Sequence, residues 1–592
     1  MNPPIEDYAL LGDGRTAALV SRDGSVDWLC LPRFDGDACF ASLLGGPENG
    51  CWTLAPCSDV VERRRRYRED TLIVETDLSG ADGCVRLIDF MPIGVGPSSL
   101  VRIVKGLRGV VQMRSSLRLR FDYGALAPLS TKVGDTVQAC LGPHLIVLRA
   151  DTRLELHDDL VDATFEVVEG MSVSFVMRYA DAQSRAPDVL DPQSALTSTE
   201  RYWQQWIARF DNDRTAWPTV VRRSLLTIRA LTYHPSGAIV AAPTTSLPEV
   251  PAGKLNWDYR YCWLRDASFA VVALLNAGFH DEATAWRDWL LRTLGAAPEH
   301  IRVMYRPDGS RHLPEWTPDW LPGHRYAKPV RVGNAAADQK QIDVLGEVVD
   351  CLHVLRRAGL PSTPDGEHIE RHIVEHLERV WNTPSSGIWE SRTEPCHYTY
   401  SRVMVWVALD RFVRRGIDDD ENRKPTIERL TTLRDIIHAE VCREAWNERV
   451  GSFTQSYESD TLDASVLLMP LVGFLPADDP RMASTIETIR RELSDHELIR
   501  RRKKPETGPD EGAFLACSCW MADCLMMQGR QALAREQFEH VLSVANDVGL
   551  FAEEYNTQRK ELAGNFPQVL THLAIINTAL GLCGPVLQRG GG

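Results

Sequence analysis

The periodicity of the chain changes once, near residue 200, and that change bounds the fold more tightly than any single motif. Before it, strand-length apolar runs alternate with breaks rich in Gly, Asp and Pro. Residues 17–20, 71–76, 85–90, 145–148 and 172–177 are such runs. Their spacing of roughly 8–15 residues fits an antiparallel sandwich, with Asp23-Gly24 and Asp82-Gly83 as turns. After it, apolar residues recur at helical spacing in twelve segments. These lie near 218–232, 265–278, 281–294, 338–358, 366–381, 398–415, 425–446, 463–473, 481–494, 512–529, 531–545 and 566–582. Pro and Gly mark several of their ends. The stretch from Thr197 to Arg209 reads as a helix that links the two halves. Consecutive helices could stack as a solenoid or close as a barrel. No fixed-period repeat accompanies them, which disfavours the solenoid. Twelve helices in six hairpins would close as an (α/α)6 barrel. The expected fold is therefore multidomain β + α: an N-terminal antiparallel sandwich over 1–196, a linker over 197–215 and a helical barrel over 216–592. In such a barrel, function sits in the loops at one end of the inner helices.

Composition removes other classes. Hydrophobic residues are 44% and charged residues 25%, which excludes disorder, collagen and coiled coil for the whole chain. Lys+Arg number 66 and Asp+Glu 81, a net charge of −15. A polyanion would be repelled, so nucleic acid is not an expected partner. The 16 Trp equal the 16 Phe. Flat, amphipathic rings suit the apolar faces of sugars, so the excess hints at carbohydrate. Residues 1–8 show no basic region followed by an apolar run, and no window reaches 18 apolar residues. A cytoplasmic protein with no membrane partner is expected. Without an export signal, the 14 Cys should be reduced. The spacing of Cys517, Cys519 and Cys524 is not that of a zinc site.

Three loop-like stretches set aromatic rings beside carboxylates. They are Asn256-Trp257-Asp258-Tyr259-Arg260-Tyr261-Cys262-Trp263-Leu264-Arg265-Asp266, Gly387-Ile388-Trp389-Glu390, and Leu550-Phe551-Ala552-Glu553-Glu554-Tyr555-Asn556. Cleavage of a glycosidic bond needs one carboxylic acid to protonate the leaving oxygen and a second carboxylate to activate water or attack. Aromatic walls desolvate the acid and raise its pKa. An Arg–Asp pair can grip sugar hydroxyls. Taken singly, each stretch has a structural explanation: a helix cap with an ion pair, interface packing, or a complement to a helix dipole. Only together do they point to a glycosidase.

Other charged clusters are weaker. His368, His372 and His376 recur every four residues, but they span about 12 Å of helix, too far for one ion. A solvated helix face is expected, and no metal site. The basic runs Arg63-Arg64-Arg65-Arg66 and 500–504 are expected as surface or interface charge on an acidic protein.

At these residues the sequence resembles glycoside hydrolase family 15, the glucoamylase and bacterial-type trehalase family. Nearly the whole chain takes part. Residues 5–13 and 24–35 are similar to the family's opening, and the eleven residues from Asn256 to Asp266 are a specific match. Further blocks lie at 332–336 with Gln341 and Asp343, at 453–457, 462–465 and 511–515, and at 553–555 with 564–568. The resemblance implies a super-β-sandwich, a linker helix and an (α/α)6 catalytic barrel. It also implies an inverting attack on a terminal α-glucoside. Glu390 would be the general acid and Glu553 the general base, with Glu554 the alternative base. Arg265 and Asp266 would bind the terminal glucose, with Tyr259 and Trp263 as aromatic walls. Trp389 and Arg501 complete the expected substrate-binding set, although the Arg501 loop is shorter than the family's. Glu390 is expected to stay protonated near neutral pH while Glu553 is ionised. Inversion needs the carboxyls about 6.5–9.5 Å apart.

The sequence departs from the family at Pro395-Cys396-His397-Tyr398-Thr399-Tyr400-Ser401-Arg402 and at Ala516, which bears on substrate preference. A cytoplasmic member meets small soluble glucosides. The resemblance therefore favours α,α-trehalose as substrate, followed by maltose, isomaltose or short dextrins. A disaccharide phosphorylase and a non-catalytic sugar-binding module are further alternatives. The two-carboxylate mechanism needs no cofactor, although some trehalases of the family respond to phosphate and Mg2+. A homo-oligomer is left open.

Overall fold

In the computed structural model, which describes residues 2–94, 96–184, 187–295, 297–415, 424–503 and 510–590, strands give way to helices where the periodicity changes. Fifteen N-terminal strands join in one antiparallel network. Its hub is the 20-residue strand Ser99–Arg118. The first half of this strand pairs with Gly83–Phe90 and Ser172–Asp181. The second half pairs with Cys51–Pro56 and Leu160–Val168. The exchange of partners happens at Gly106 and Gly109. A Cβ on Gly106 would stand 2.1 Å from the Val168 carbonyl oxygen, so only a bare backbone passes there. Along Leu160–Val168 buried and more exposed residues alternate, the mark of a half-buried strand. The run expected at 71–76 enters a strand only at Val74 (Val74–Gly80). Asp70 has φ 59° and Arg68 N–H bonds the Ile73 carbonyl, so a turn occupies the run's first residues.

The linking helix spans Pro192–Ile207, five residues earlier than expected. The Asp191 carboxylate accepts the Ser194 N–H and Pro192 opens the first turn, a strong start signal. All twelve expected segments are helical. Six of them are largely buried: Arg265–Asn276, Asp343–Arg357, Thr399–Arg415, the short Leu468–Leu471 with its preceding turn Ala464–Leu467, Leu515–Met527 and Val569–Gly581. Each packs against the next in this order, and Val569–Gly581 packs back on Arg265–Asn276. The intervening helices are amphipathic; Pro364–Val380 buries Ile369, Ile373, Val374 and Leu377 along one face together with Gly366 and the paired Glu370. Among the buried helices Glu347 and Asp350 receive Arg589 at 2.5 and 2.6 Å, and Arg411 bonds Asp350 at 2.9 Å. No helix among the described residues is long and apolar enough to cross a membrane.

The sheet and the helices share buried polar contacts. Trp28 donates its indole N–H to the Pro243 carbonyl at 2.8 Å. Arg65, one of the four consecutive arginines, bonds Asp547 at 2.5 Å. That run is thus partly interface charge, as expected.

Candidate active site

Residues 256–266 turn alternate side chains toward two different surroundings. Asp258 and Arg260 are wholly buried and pair at 2.6 Å. Arg260 also donates to the Gly36 carbonyl at 2.7 Å and to the Tyr123 hydroxyl at 2.9 Å, both in the sheet half. Tyr259, Trp263 and Arg265 face the other way, onto an open-mouthed cavity of about 950 Å³ that also takes in Glu390, Arg501 and Glu553. One motif therefore fastens the two halves and lines the cavity.

Glu390 sits in a tight loop with φ 55°. Its N–H bonds the Gly387 carbonyl at 3.1 Å, and its own carbonyl accepts from Gln339 at 3.1 Å. Its Oε1 accepts the Trp263 indole N–H at 2.5 Å and lies 3.4 Å from Arg265 Nη1. Arg265 is held by the Ile388 carbonyl at 2.7 Å and by Asp266 at 2.9 Å. Burial raises the Glu390 pKa, while Arg265 and the Trp263 N–H pull it back. Trp389 spends its N–H on both oxygens of buried Asp463, each at 2.9 Å. Its ring stays on the cavity wall, with Arg501 5.5 Å from its centroid.

Glu553 and Glu554 point in different directions, because Glu554 opens a strand (Glu554–Asn556) and neighbours along a strand alternate faces. Glu553 lines the cavity and accepts the Tyr259 hydroxyl at 2.9 Å. Glu554 accepts the Gly512 N–H at 3.0 Å and lies 3.2 Å from Arg501. It is absent from the cavity wall. The other oxygen of Glu553 is buried without a hydrogen-bond partner. Burial, and next the nearby Glu249 charge, push the Glu553 pKa up to about 8, against the pull of Arg501 and Tyr259. The expected contrast, a protonated Glu390 beside an ionised Glu553, is therefore not set by these surroundings. Both carboxyls are raised, and each has donors that favour its anion: the Trp263 indole N–H and Arg265 for Glu390, the Tyr259 hydroxyl and Arg501 for Glu553, where the Glu249 charge opposes them.

Arg501 is drawn deep into the site from the basic run. It meets Glu249 at 2.7 Å, Glu511 at 3.0 Å and Glu554 at 3.2 Å. Arg500 pairs with Asp495 and Asp510, and Lys504 lies outside the described residues. The expectation of surface or interface charge is thus corrected for Arg501, which buried Glu249 and Glu554 draw inward onto the cavity, while half-buried Asp495 and Asp510 hold Arg500. Asp266 does not line the cavity. One of its oxygens takes Arg265 Nε, and the other is buried without a hydrogen-bond partner. Sequence reasoning missed Glu249 and Arg392, and gave no role to Asn334 and Glu511 within the matched blocks; all four are on the wall. Glu249 is a single carboxylate in a Pro-rich loop with no periodic neighbour to flag it.

His372 bonds the His368 carbonyl at 2.8 Å on its own helix. Among the described residues no group of three His, Cys, Asp or Glu could hold a metal ion. All 14 cysteines are free thiols.

Known proteins resemble this chain along its length. The profile "Trehalase-like, N-terminal" matches residues 1–203 and "Glycosyl hydrolases family 15" matches residues 218–580. A trehalase of Mycobacterium tuberculosis is 33% identical over 98% of this chain and 89% of its own. A trehalase of Thermoplasma volcanium is 32% identical over 99% of this chain and 95% of its own. A bacterial glucoamylase crystallised with acarbose shares the fold, with a TM-score of 0.75 over 99% of this chain and 95% of its own at 11% identity. With its helical half matched throughout and the site motifs in place, the chain belongs to glycosyl hydrolases family 15.

Proposed function

We propose that this protein hydrolyses α,α-trehalose to two glucose molecules, acting on a terminal α-glucoside with inversion at the attacked carbon. The observation that carries the reading is the placement of Glu390 and Glu553 on one cavity wall without a hydrogen bond between them. Tyr259 bonds Glu553, Trp263 bonds Glu390, and the two rings are 5.3 Å apart. Inversion requires the two carboxyls to stand about 6.5–9.5 Å apart, with a water between the base and the sugar. Glu390 gives its proton to the glycosidic oxygen. Glu553 takes a proton from the water that attacks the anomeric carbon from the opposite face. Arg265, Tyr259, Trp263, Trp389 and Arg501 hold the sugar, and Asp266 orients Arg265. Family relatives that bear the name trehalase favour this substrate over maltose, isomaltose or dextrins. The mechanism draws on no cofactor.

The same reading assigns the helices to an (α/α)6 barrel, supported by the closed order in which the six buried helices touch. It assigns the strands to a super-β-sandwich, in which Ser99–Arg118 runs through both sheets. The units are 1–196 and 216–592, with the linker between them.

One observation favours exchanged roles, with Glu553 as acid and Glu390 as base: the Trp263 and Arg265 donors on Glu390. α-Glucosyl fluoride separates the two, because fluoride leaves without a proton. Glu390→Gln is expected to lose about 10²–10⁴-fold on trehalose yet keep hydrolysing the fluoride. Glu553→Gln is expected to lose both activities. The opposite pattern would exchange the roles. Before mutarotation, NMR should show β-glucose from the attacked carbon and α-glucose from the leaving half in equal amounts; release of α-glucose alone would refute inversion, and phosphate-dependent glucose 1-phosphate would refute hydrolysis.

A further inference from the structure

Glu249 is buried, 2% exposed, yet it belongs to the same cavity wall as Glu390 and Glu553. Its loop is pinned at both ends of a short span. The Glu249 N–H bonds the Leu255 carbonyl at 3.1 Å, and the Gly564 N–H bonds the Pro248 carbonyl at 2.8 Å. Gly564, at φ 81°, follows the strand that carries Glu554 back through its hairpin. A Cβ there would stand 3.1 Å from the free Oε2 of Glu553 and 3.8 Å from Cγ of Glu249. The two side chains thus share the one space that a bare glycine leaves open. Arg501 holds Glu249 at 2.7 Å, but the same guanidinium nitrogen also serves Glu511 and Glu554. One cation is shared among three carboxylates, and its pull on Glu553 is opposed by the Glu249 charge.

We propose that Glu249 is a positioning residue for Glu553, one whose negative charge, fixed by Arg501 beside Gly564, sets the pH at which Glu553 can accept a proton. The inference rests on the reading of Glu553 as the base. The charges that face Glu553 are Glu249 from its loop, Arg501 and Glu511 beside it, Glu554 next in the chain, Arg265 at its helix start and Glu390 on the shared cavity wall; Tyr259 supplies the neutral donor. Among these the Glu249 charge is the strongest that opposes ionisation of Glu553, and Glu249 itself is raised to about 7. Two carboxyls so placed titrate as a pair, and removing one charge releases the other.

The test is kcat/KM on trehalose from pH 5 to 10 for the wild type, Glu249→Asp and Glu249→Gln. In Glu249→Gln the acid limb should move to lower pH by about one pH unit, leaving it about tenfold more active than wild type, relative to plateau, at pH 6. Glu249→Asp, which keeps the charge but withdraws it, should move the limb the same way and less. Plateau kcat should stay within about threefold for both, since a group that only tunes a neighbour costs little once that neighbour is ionised. A limb that stays put in both variants, or an equal loss at every pH, overturns the inference. Should Glu249→Gln not fold, the limb of Glu249→Asp alone decides. Glu553→Gln separates the two failures. If it is inactive and the limb does not move, only the role of Glu249 falls. If it keeps turnover, the assignment of the base falls and this inference with it.

Discussion

Glu553 is a carboxyl buried among like charges, and that has a cost apart from catalysis. Its folded pKa of about 8 lies above its ordinary value of 4.5, so between those limits the folded chain holds a proton that the unfolded chain has lost. Stability is then greatest below about pH 4.5 and falls as pH rises through about 8. Glu553→Gln removes the charge at constant volume. Its Tm should match wild type at pH 5 and exceed it at pH 9, while turnover is lost; equal melting at pH 9 would show that Glu553 ionises freely. At this scale the sequence was readable where rings and carboxylates cluster. Tyr259, Trp263, Arg265, Glu390 and Glu553 do meet on one cavity. It was not readable where contacts come from afar. Trp389 is the neighbour of Glu390 in the chain, yet its N–H goes to Asp463, and Trp263, over 100 residues away, makes the bond to Glu390. Protonation order follows such bonds, so it could not be read from adjacency.

Strands and helices were legible because their periods, 2 and 3.6, follow from which face is buried. All twelve helical segments are present, including Leu468–Leu471, shortened around Pro470. What periodicity could not show is which strand would exchange partners midway. Ser99–Arg118 does so, and its burial rests on one charge. Arg102 is fully buried, bonded to Asp89 at 2.7 Å and to the carbonyls of Trp52 and Gly24 at 2.7 and 2.8 Å, so it joins two neighbouring strands and a turn through one side chain. Arg102→Ala would leave Asp89 buried without its counter-charge, at a cost of about 3–5 kcal/mol. Urea unfolding checks this. Arg64→Ala, on an exposed stretch of strand, should change stability by less than about 0.5 kcal/mol.

Across the whole molecule, the order of β half then α half is written in the change of period, but the bond between the halves is not. Arg260 reads as part of a sugar-binding motif, and yet its guanidinium serves Gly36 and Tyr123 of the sheet. Arg260→Ala should therefore lower Tm and turnover together, because Tyr259 and Trp263 are carried on the same backbone; full activity in a protein of lowered Tm would uncouple the two. That one side chain also bears on cooperativity. Chains with two large units commonly unfold in steps. Here, melting the sheet would strip a buried guanidinium of two acceptors and expose Trp28 and Pro243 to separation. The helical half would inherit an unpaid polar debt at the moment its partner left. A single calorimetric peak, with the sugar-binding loop lost in the same transition, is the expected signature; two resolved peaks would mean that the halves keep their own thermodynamic accounts.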